Sequence, residues 1–275
     1  MEDIKNQSIG LKRNTIDKYY TNISVVKSCI ELIKNSIIIS RDDIIIEPSA
    51  GNGAFIELIK TLSTNYKFYD LEPENNEIIQ QDFLELEYKR EKNKKIHIIG
   101  NPPFGRQSSI AIKFIKKSCD FCDSISFILP KSFKKESMKS KFPLNFHLVY
   151  EWDLPENAFL VNNVEYNVPC VFQIWEKRTE SRIKLEKVEP LHFIFVKKPD
   201  NPHISFRRVG VNAGVISKDI DIKSEQSHYF ITFTNNKSID ENIEQLKKIT
   251  FTHENTVGPR SISIQELIQE FNKYL

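Results

Sequence analysis

Short apolar runs alternate with segments of helical periodicity along the first two thirds of the chain. The runs are nearly continuous, as in Ile-Ile-Ile-Glu at 44–47, which is typical of parallel strands covered on both faces. We predict strands at 44–47, 67–71, 96–100, 125–129, 147–153 and 169–175, and helices near 23–35, 53–62, 108–118 and 132–140. This alternation predicts an α/β fold whose ligands bind beyond the carboxyl ends of the strands.

The pattern changes after residue 178, where charged residues interrupt it. Short β-rich pieces at 191–198, 203–210 and 228–235 then precede a helical pattern at 263–275. We therefore predict a first domain at 1–178 and a small C-terminal α+β region at 179–275, which we expect to recognise the substrate.

Composition narrows the class of protein. The 275 residues are 40% hydrophobic and 28% charged, with a formal net charge of +2, which is ordinary for a globular chain. No apolar run reaches the roughly 20 residues of a membrane helix, and the N-terminus lacks the apolar stretch of a signal peptide. We expect a soluble intracellular protein without a membrane partner, in the cytoplasm, with the nucleus left open.

Four cysteines are too few for a disulfide scaffold. Cys119 and Cys122 form a Cys-x-x-Cys pair, but no second pair stands at zinc-site spacing. We expect reduced thiols and no metal, with a zinc site as the lesser alternative.

Polar and small residues follow three of the predicted strands. Glu47 and the glycines Gly51 and Gly53 come after the first, where glycine allows a tight turn and close approach of a ligand. Asp70 ends the next strand, where a carboxylate can accept the hydroxyls of a ribose. Asn-Pro-Pro-Phe at 101–104 ends the third, and its prolines hold Asn101 rigid.

These stretches resemble the amino-methyltransferases that use S-adenosylmethionine, in particular the DNA adenine-N6 methyltransferases. The resemblance covers roughly residues 15–178. It rests on Asp-Lys-Tyr-Tyr-Thr-Asn at 17–22, Glu-Pro-Ser-Ala-Gly-Asn-Gly-Ala-Phe at 47–55, Tyr-Asp-Leu-Glu-Pro at 69–73, Gln-Asp-Phe-Leu-Glu-Leu at 81–86 and Asn-Pro-Pro-Phe at 101–104. It implies a class I Rossmann-like methyltransferase fold with a central, mostly parallel seven-stranded sheet.

The resemblance also implies a role for each matched residue. The cofactor S-adenosylmethionine would be held at its methionine part by Tyr20 and Thr21, in the main cradle by Glu47, Ser49, Ala50, Gly51 and Gly53, at the ribose by Asp70, and at the adenine by Asp82 and Phe83, with Leu71 as a further contact to the cofactor. Catalysis would fall to Asn101, Pro102, Pro103 and Phe104. The Asn101 side-chain oxygen and the Pro102 carbonyl can accept hydrogen bonds from the two N–H groups of an aromatic amine. Phe104 can stack on a base that is flipped out of its helix.

The expected substrate is adenine N6 in DNA, with DNA favoured over RNA. Candidate nucleic-acid contacts are Lys131, Lys134, Lys135, Arg207 and Arg208. The C-terminal region is short for reading sequence, so a partner protein could supply specificity. The alternatives are an RNA adenine-N6 methyltransferase, a glutamine-N5 protein methyltransferase, and a catalytically idle subunit that binds nucleic acid.

Overall fold

The chain forms two compact units, which divide between Arg182 and Ile183. The computed structural model describes residues 19–91, 93–184, 186–251 and 260–275. The predicted boundary at 178 lies just before the observed division. Residues 17 and 18 of the Asp-Lys-Tyr-Tyr-Thr-Asn stretch lie outside the described residues.

The first unit is a sheet flanked by helices. In chain order its strands are β1 (Tyr20–Thr21), β2 (Ile44–Glu47), β3 (Asn65–Asp70), β4 (Ile79–Gln80), β5 (Ile96–Gly100), β6 (Ser124–Pro130), β7 (Phe146–Asp153), β8 (Phe159–Val161), β9 (Val164–Tyr166) and β10 (Cys170–Lys177). Its helices are α1 (Ile23–Ser36), α2 (Ile56–Lys60), α3 (Ser109–Phe121) and α4 (Glu136–Lys139), with 3-10 turns at Phe83–Glu85, Arg106–Ser108 and Lys131–Lys134.

Seven of these strands form one sheet in the order β4-β3-β2-β5-β6-β10-β7. Neighbours from β4 to β6 are parallel, whereas β10 is antiparallel to both β6 and β7. This confirms the expected α/β fold with a mostly parallel seven-stranded sheet. The short strands β1, β8 and β9 form a separate small sheet.

The sheet has an apolar core on each face. Ile45 of β2 packs with helices α1 and α2, whereas its neighbours Ile44 and Ile46 pack on the face covered by α3. Successive side chains of a strand point to opposite faces, so a strand buried on both sides is apolar at nearly every position. The continuous apolar runs of the sequence follow from this arrangement.

Two predicted helices differ from the structure. The helix predicted at 132–140 is wrong as a single element, because Lys135 is extended (φ −75°, ψ 142°) and separates a 3-10 turn from α4. Phe133 of that turn is fully buried, so its packing takes precedence over helical continuity. The helix predicted at 53–62 is shorter, Ile56–Lys60, since the glycine-containing turn before it extends to Phe55.

The second unit is an antiparallel sheet with two helices. Its strands are β11 (Phe193–Val196), β12 (Ile204–Arg207), β13 (Ile216–Ser217) and β14 (His228–Phe233), in the order β11-β14-β12-β13. Helices α5 (Ile239–Leu246) and α6 (Ile264–Phe271) each begin with a Ser-Glu capping box. The expected small α+β region is confirmed.

The four cysteines are free and buried. In the ranges given above, no helix is both long and apolar enough to cross a bilayer. Those ranges also hold no cluster of three or more His, Cys, Asp or Glu side chains suited to a metal ion.

A buried polar network joins the amino ends of three central strands. His97 Nδ1 lies 2.7 Å from the Ser124 hydroxyl, and His97 Nε2 lies 3.3 Å from the Asp43 carboxylate. Asp43 also accepts the backbone N–H of Ser40 at 2.7 Å and of Lys95 at 3.1 Å. Burial lowers the pKa of His97, so the ring is neutral, with Nε2–H donating to Asp43 and Nδ1 accepting from Ser124.

This network predicts a pH-dependent stability of the first unit. A lowered folded pKa favours the neutral ring, so His97 contributes stability above its unfolded value near 6.5 and loses it as the pH falls below that value. The part of the free energy of unfolding that depends on His97 should decrease as the pH is lowered from 8 to 5; it is the difference between the parent and His97→Gln, measured in urea by tryptophan fluorescence. Both tryptophans, Trp152 and Trp175, lie in this unit.

Two variants separate the charge from the hydrogen bonds. In His97→Gln the contribution of His97 to the slope with pH should be missing, because an amide does not titrate in this range, so the slope should differ from that of the parent. Ser124→Ala should keep the slope but lose about 1 to 3 kcal/mol at every pH, because it removes the donor to His97 Nδ1. A slope that is equal in the parent and in His97→Gln contradicts the assignment.

Candidate functional site

The loop after β2 is shaped by two glycines in the left-handed region. Gly51 has φ +54° and Gly53 has φ +86°, conformations that other residues adopt only under strain. The Gly51 N–H donates to Asp70 Oδ2 at 2.7 Å, and the Ala50 N–H donates to the Tyr69 carbonyl at 2.9 Å. These bonds fix the loop against the end of β3.

Asp70 holds this loop with both of its oxygens. Besides Gly51, its carboxylate accepts the Glu72 N–H, through Oδ1 at 2.9 Å. An ionised carboxylate has about four acceptor positions. Asp70 can therefore shape the loop and still accept the ribose hydroxyl assigned to it from the sequence.

Tyr20 lies over the glycine loop. Its ring is 3.5 Å from the position that a Cβ at Gly51 would take, and its hydroxyl donates to Glu74 Oε1 at 2.6 Å. A side chain at position 51 would thus meet the ring as well as a strained backbone. Tyr20 and Gly51 therefore lie side by side, and their assignment to one cofactor pocket stays a prediction.

Glu47 ends β2 as a buried carboxyl group. Its side chain is 2% exposed, and Oε2 has no hydrogen-bond partner among the described residues. Burial raises the pKa of Glu47 well above its usual value, and the nearby charge of Asp70 raises it further. The adjacent residue on β5 is Gly100, whose absent Cβ would lie 3.2 Å from Glu47 Cγ. Glycine at position 100 therefore leaves room for this carboxyl group.

Asn101 follows Gly100, and its amide has a defined orientation. Nδ2 donates to the Thr21 hydroxyl at 3.3 Å and, more weakly, to the Tyr19 carbonyl at 3.5 Å. A carbonyl oxygen can only accept, so Nδ2 must face β1 and Oδ1 must face away from it. Oδ1 is buried and has no partner within the described part of the chain. Asn101 thus presents a free acceptor.

Two contacts to Asn101 were not foreseen from the sequence. Thr21, expected at the cofactor, contacts the Asn101 amide, and Tyr19 contributes through its backbone carbonyl, which no residue type signals. Ser49 also reaches across from the glycine loop, where its hydroxyl donates to the Asn101 carbonyl at 3.2 Å. The cradle and the Asn-Pro-Pro-Phe turn are therefore hydrogen-bonded to each other.

The rest of the turn is partly embedded. Pro102 is buried, Pro103 is exposed, and the half-buried Phe104 packs against both cores of the sheet. The chain then passes through left-handed residues at Gly105, Gln107 and Ser108 before α3 begins. Such strained backbone outside glycine is uncommon and is found mostly at functional sites.

The remaining residues assigned to the cofactor, Leu71, Asp82 and Phe83, have different environments. Leu71 is 61% exposed at the end of β3, as a contact to a flat ligand requires. Asp82 caps the following 3-10 turn, where it accepts the Leu84 N–H at 2.8 Å. Phe83 is 1% exposed and stacks on Phe114 in the core, so its ring would have to leave the core to touch adenine.

The lysine-rich stretch after β6 is bonded to the edge strand β7. Lys134 pairs with Asp153 at 2.9 Å, Lys131 lies 4.0 Å from the same carboxylate, and Lys139 pairs with Glu151 at 3.5 Å. Lys135 is also engaged in an interaction. Carboxylates on β7 therefore offset much of the charge that the sequence suggested for phosphates.

Arg207 and Arg208 lie in the second unit, on and just after β12. Arg207 Nε donates to the Val209 carbonyl at 3.1 Å, and Arg208 donates to the Gln226 carbonyl at 2.7 Å while covering the Tyr229 ring. Both side chains support their own unit, and their contact with nucleic acid stays a prediction.

Several solved structures are similar to part of this chain. A candidate RNA methyltransferase from Pyrococcus horikoshii has 14% identity and a TM-score of 0.47, covering 62% of this chain and 92% of its own. The 23S rRNA methyltransferase ErmE has 13% identity and a TM-score of 0.46, covering 61% and 72%. A candidate methyltransferase from Streptococcus mutans, in complex with SAH, has 14% identity and a TM-score of 0.38, covering 55% of this chain and 96% of its own. Likenesses at this level do not extend to substrate.

No curated protein matches the sequence. The profile of the EDM2 methyltransferase-like domain matches residues 38–195, which is more than half of the chain and includes β2, β3, β5 and the loops that follow them. The chain belongs to the EDM2 methyltransferase-like domain family.

Proposed function

We propose that this protein transfers a methyl group from S-adenosylmethionine to the exocyclic N6 amine of adenine in a nucleic acid. The observation that carries the proposal is the buried, unpartnered Oδ1 of Asn101, held by Thr21 and the Tyr19 carbonyl beside the glycine loop. An acceptor buried without a partner costs about 1 to 3 kcal/mol. A hydrogen bond from an N–H group of the substrate to Asn101 Oδ1 would recover that free energy.

The residues fit the cofactor in two ways. Gly51 and Gly53 leave a cradle that side chains would fill, and Glu47 offers a carboxyl oxygen without a partner at its edge. When bound, S-adenosylmethionine supplies an electrophilic methyl group on a sulfonium. Asp70 and the loop it holds would bind the ribose part.

Asn101 and Pro102 would activate the amine. The lone pair of an aromatic amine is delocalised into the ring, which makes the nitrogen a poor nucleophile. Two acceptors that receive hydrogen bonds from its two N–H groups localise the lone pair on the nitrogen. These hydrogen bonds strengthen as positive charge develops on the nitrogen, so they stabilise the transition state more than the ground state. Phe104, half-buried beside them, would stack on the extruded base.

DNA and RNA are both substrates to be tested. The groups around Asn101 recognise an amine rather than a sugar, and the candidate phosphate contacts suit either backbone. Labelled S-adenosylmethionine should be incubated separately with DNA, single-stranded RNA, structured RNA and a release factor, and the products digested. N6-methyladenine supports the proposal, and the polymer that carries it identifies the substrate; label on glutamine, cytosine or guanine overturns it.

Asn101→Ala should abolish most of the activity without affecting the cofactor. Loss of a preorganised hydrogen-bonding group costs on the order of a hundredfold or more in turnover. Affinity for S-adenosylmethionine, measured by calorimetry, should stay near the parent value. Asn101→Asp should retain some activity but less than Asn, because one carboxylate oxygen would face the Tyr19 carbonyl. Equal turnover in the parent and in Asn101→Ala contradicts the assigned role.

Thr21→Val tests the orientation of the Asn101 amide. Valine keeps the shape of threonine and removes the acceptor for Nδ2, so turnover should fall by a few-fold to about tenfold. In the Asn101→Ala background the same substitution should have no further effect on turnover. Thr64→Val, on an exposed hydroxyl, is the matched control. A weaker cofactor affinity with unchanged turnover would instead place Thr21 at the cofactor.

Asp70→Ala and Gly51→Val should weaken the binding of S-adenosylmethionine. Asp70→Ala removes a charged acceptor, worth about 1.5 to 3 kcal/mol, or about 10- to 150-fold in Kd. Gly51→Val places a branched side chain at a strained φ of +54°, where its Cβ alone would already be in contact with the Tyr20 ring at 3.5 Å. Asp42→Ala, at an exposed position, is the control and should bind the cofactor as the parent does. An affinity equal to that of the parent in both Asp70→Ala and Gly51→Val would contradict the location of the pocket.

A further inference from the structure

We propose that Glu47 is a proton-linked ligand of the cofactor: it carries a proton in the free protein and releases it to solvent when the cationic end of S-adenosylmethionine binds. The inference rests on the proposed function and adds a coupling to it. It starts from the position of Glu47, which is 2% exposed at the end of β2 and has an oxygen without a partner among the described residues.

The surroundings of Glu47 contain no compensating cation in the described residues. The end of β3 contributes Asp70, a second carboxyl group whose charge opposes that of Glu47. The end of β5 contributes Gly100 and Asn101, and the loop after β2 contributes Pro48 and Ser49, none of which is charged. Burying a carboxylate beside another carboxylate is costly, so the carboxyl group keeps its proton.

Asp70 is already bonded to the backbone. Its two oxygens accept the N–H groups of Gly51 and Glu72. The two adjacent strand ends thus carry one carboxyl group that is hydrogen-bonded and one, Glu47, with a buried oxygen that has no partner among the described residues. Glu47 is therefore the group whose environment a bound ligand can change.

A bound cation reverses the preference of Glu47. S-adenosylmethionine carries two cationic groups, a sulfonium and an ammonium, and a cation within a few ångströms favours the charged form of a carboxyl group. Ionised Glu47 would then use its free oxygen to accept from or pair with that cation, and the proton would leave to water. The alternative is a neutral Glu47 that donates its proton in a hydrogen bond to the carboxylate of the cofactor, in which case no proton is released.

The two possibilities differ in the number of protons released. Calorimetry of S-adenosylmethionine binding in buffers of different ionisation enthalpy measures that number directly. We expect release of up to one proton by the parent and none by Glu47→Gln, which is isosteric with the neutral acid and should fold normally. The affinity of the parent should rise with pH, by up to about tenfold per pH unit, whereas that of Glu47→Gln should not.

Two comparisons sharpen the result. Glu57→Gln, the same substitution at an exposed position on α2, should release a proton as the parent does. S-adenosylhomocysteine lacks the sulfonium charge and keeps the ammonium. If it causes as much release as S-adenosylmethionine, the ammonium is the cation at Glu47, and if it causes less, the sulfonium contributes.

The protonation of Glu47 can be measured in the free protein as well. Infrared spectra with isotope-labelled glutamate should show a protonated carboxyl band at neutral pH in the parent that is missing from Glu47→Gln. Absence of that band, or cofactor binding by the parent without proton release, overturns the inference and leaves the proposed function standing. Failure of the parent to bind either compound overturns both.

Discussion

The parallel register of β2 and β5 is the constraint on which the rest of the site depends. Ile46 pairs with Ile98, and where the two strands end, Glu47 on one lies close to Gly100 on the other, with 3.2 Å between Glu47 Cγ and the position of a Cβ at Gly100. Parallel pairing also brings the glycine loop and the Asn-Pro-Pro-Phe turn to one edge of the sheet. The bond from Ser49 to the Asn101 carbonyl then joins the two.

The polar atoms of the site lower the stability of the folded protein. Buried polar atoms are nearly always paired in folded proteins, and an unpaired one costs about 1 to 3 kcal/mol. Four such side-chain atoms occur in the described residues, and two of them, Glu47 Oε2 and Asn101 Oδ1, lie at the ends of adjacent strands. The left-handed Gln107 and Ser108 add strain close by. Two closely packed cores, one on each face of the sheet, compensate for these costs.

Most strands of the sheet could be predicted from the sequence, because a strand buried on both faces needs apolar residues at nearly every position. The bounds predicted for β2 and β5 match the structure, and those for β6 and β7 differ by a residue or so. Strands of two or three residues such as β1 and β9 have no periodicity to detect. The helix predicted at 132–140 is interrupted, because the buried packing of Phe133 takes precedence over a continuous helix, and burial of that kind depends on residues distant in the chain.

For the site, residue types at strand ends could be predicted from the pattern, but not the bonds among them. The structure bonds Gly51 to Asp70 and Ser49 of the same loop to Asn101, and the role of these residues in a pocket stays a prediction. The role of Tyr19 is exerted through a backbone carbonyl, and the burial of Phe83 follows from packing with α3, so neither could be deduced from local sequence. The sequence also did not show that carboxylates offset the charges of the lysines after β6, because the partners on β7 are distant in the chain.

The network of Asp43, His97 and Ser124 gives the opposite end of the same strands a different character. There, at the amino ends of β2, β5 and β6, each polar group is paired, whereas the carboxyl ends carry acceptors without partners. The amino ends of these strands are therefore stabilised by hydrogen bonds, whereas the carboxyl ends keep buried acceptors without hydrogen bonds. Selection for a more stable protein would find its gains at the carboxyl ends, by filling or pairing those acceptors, and each gain would remove a place where a ligand can bind.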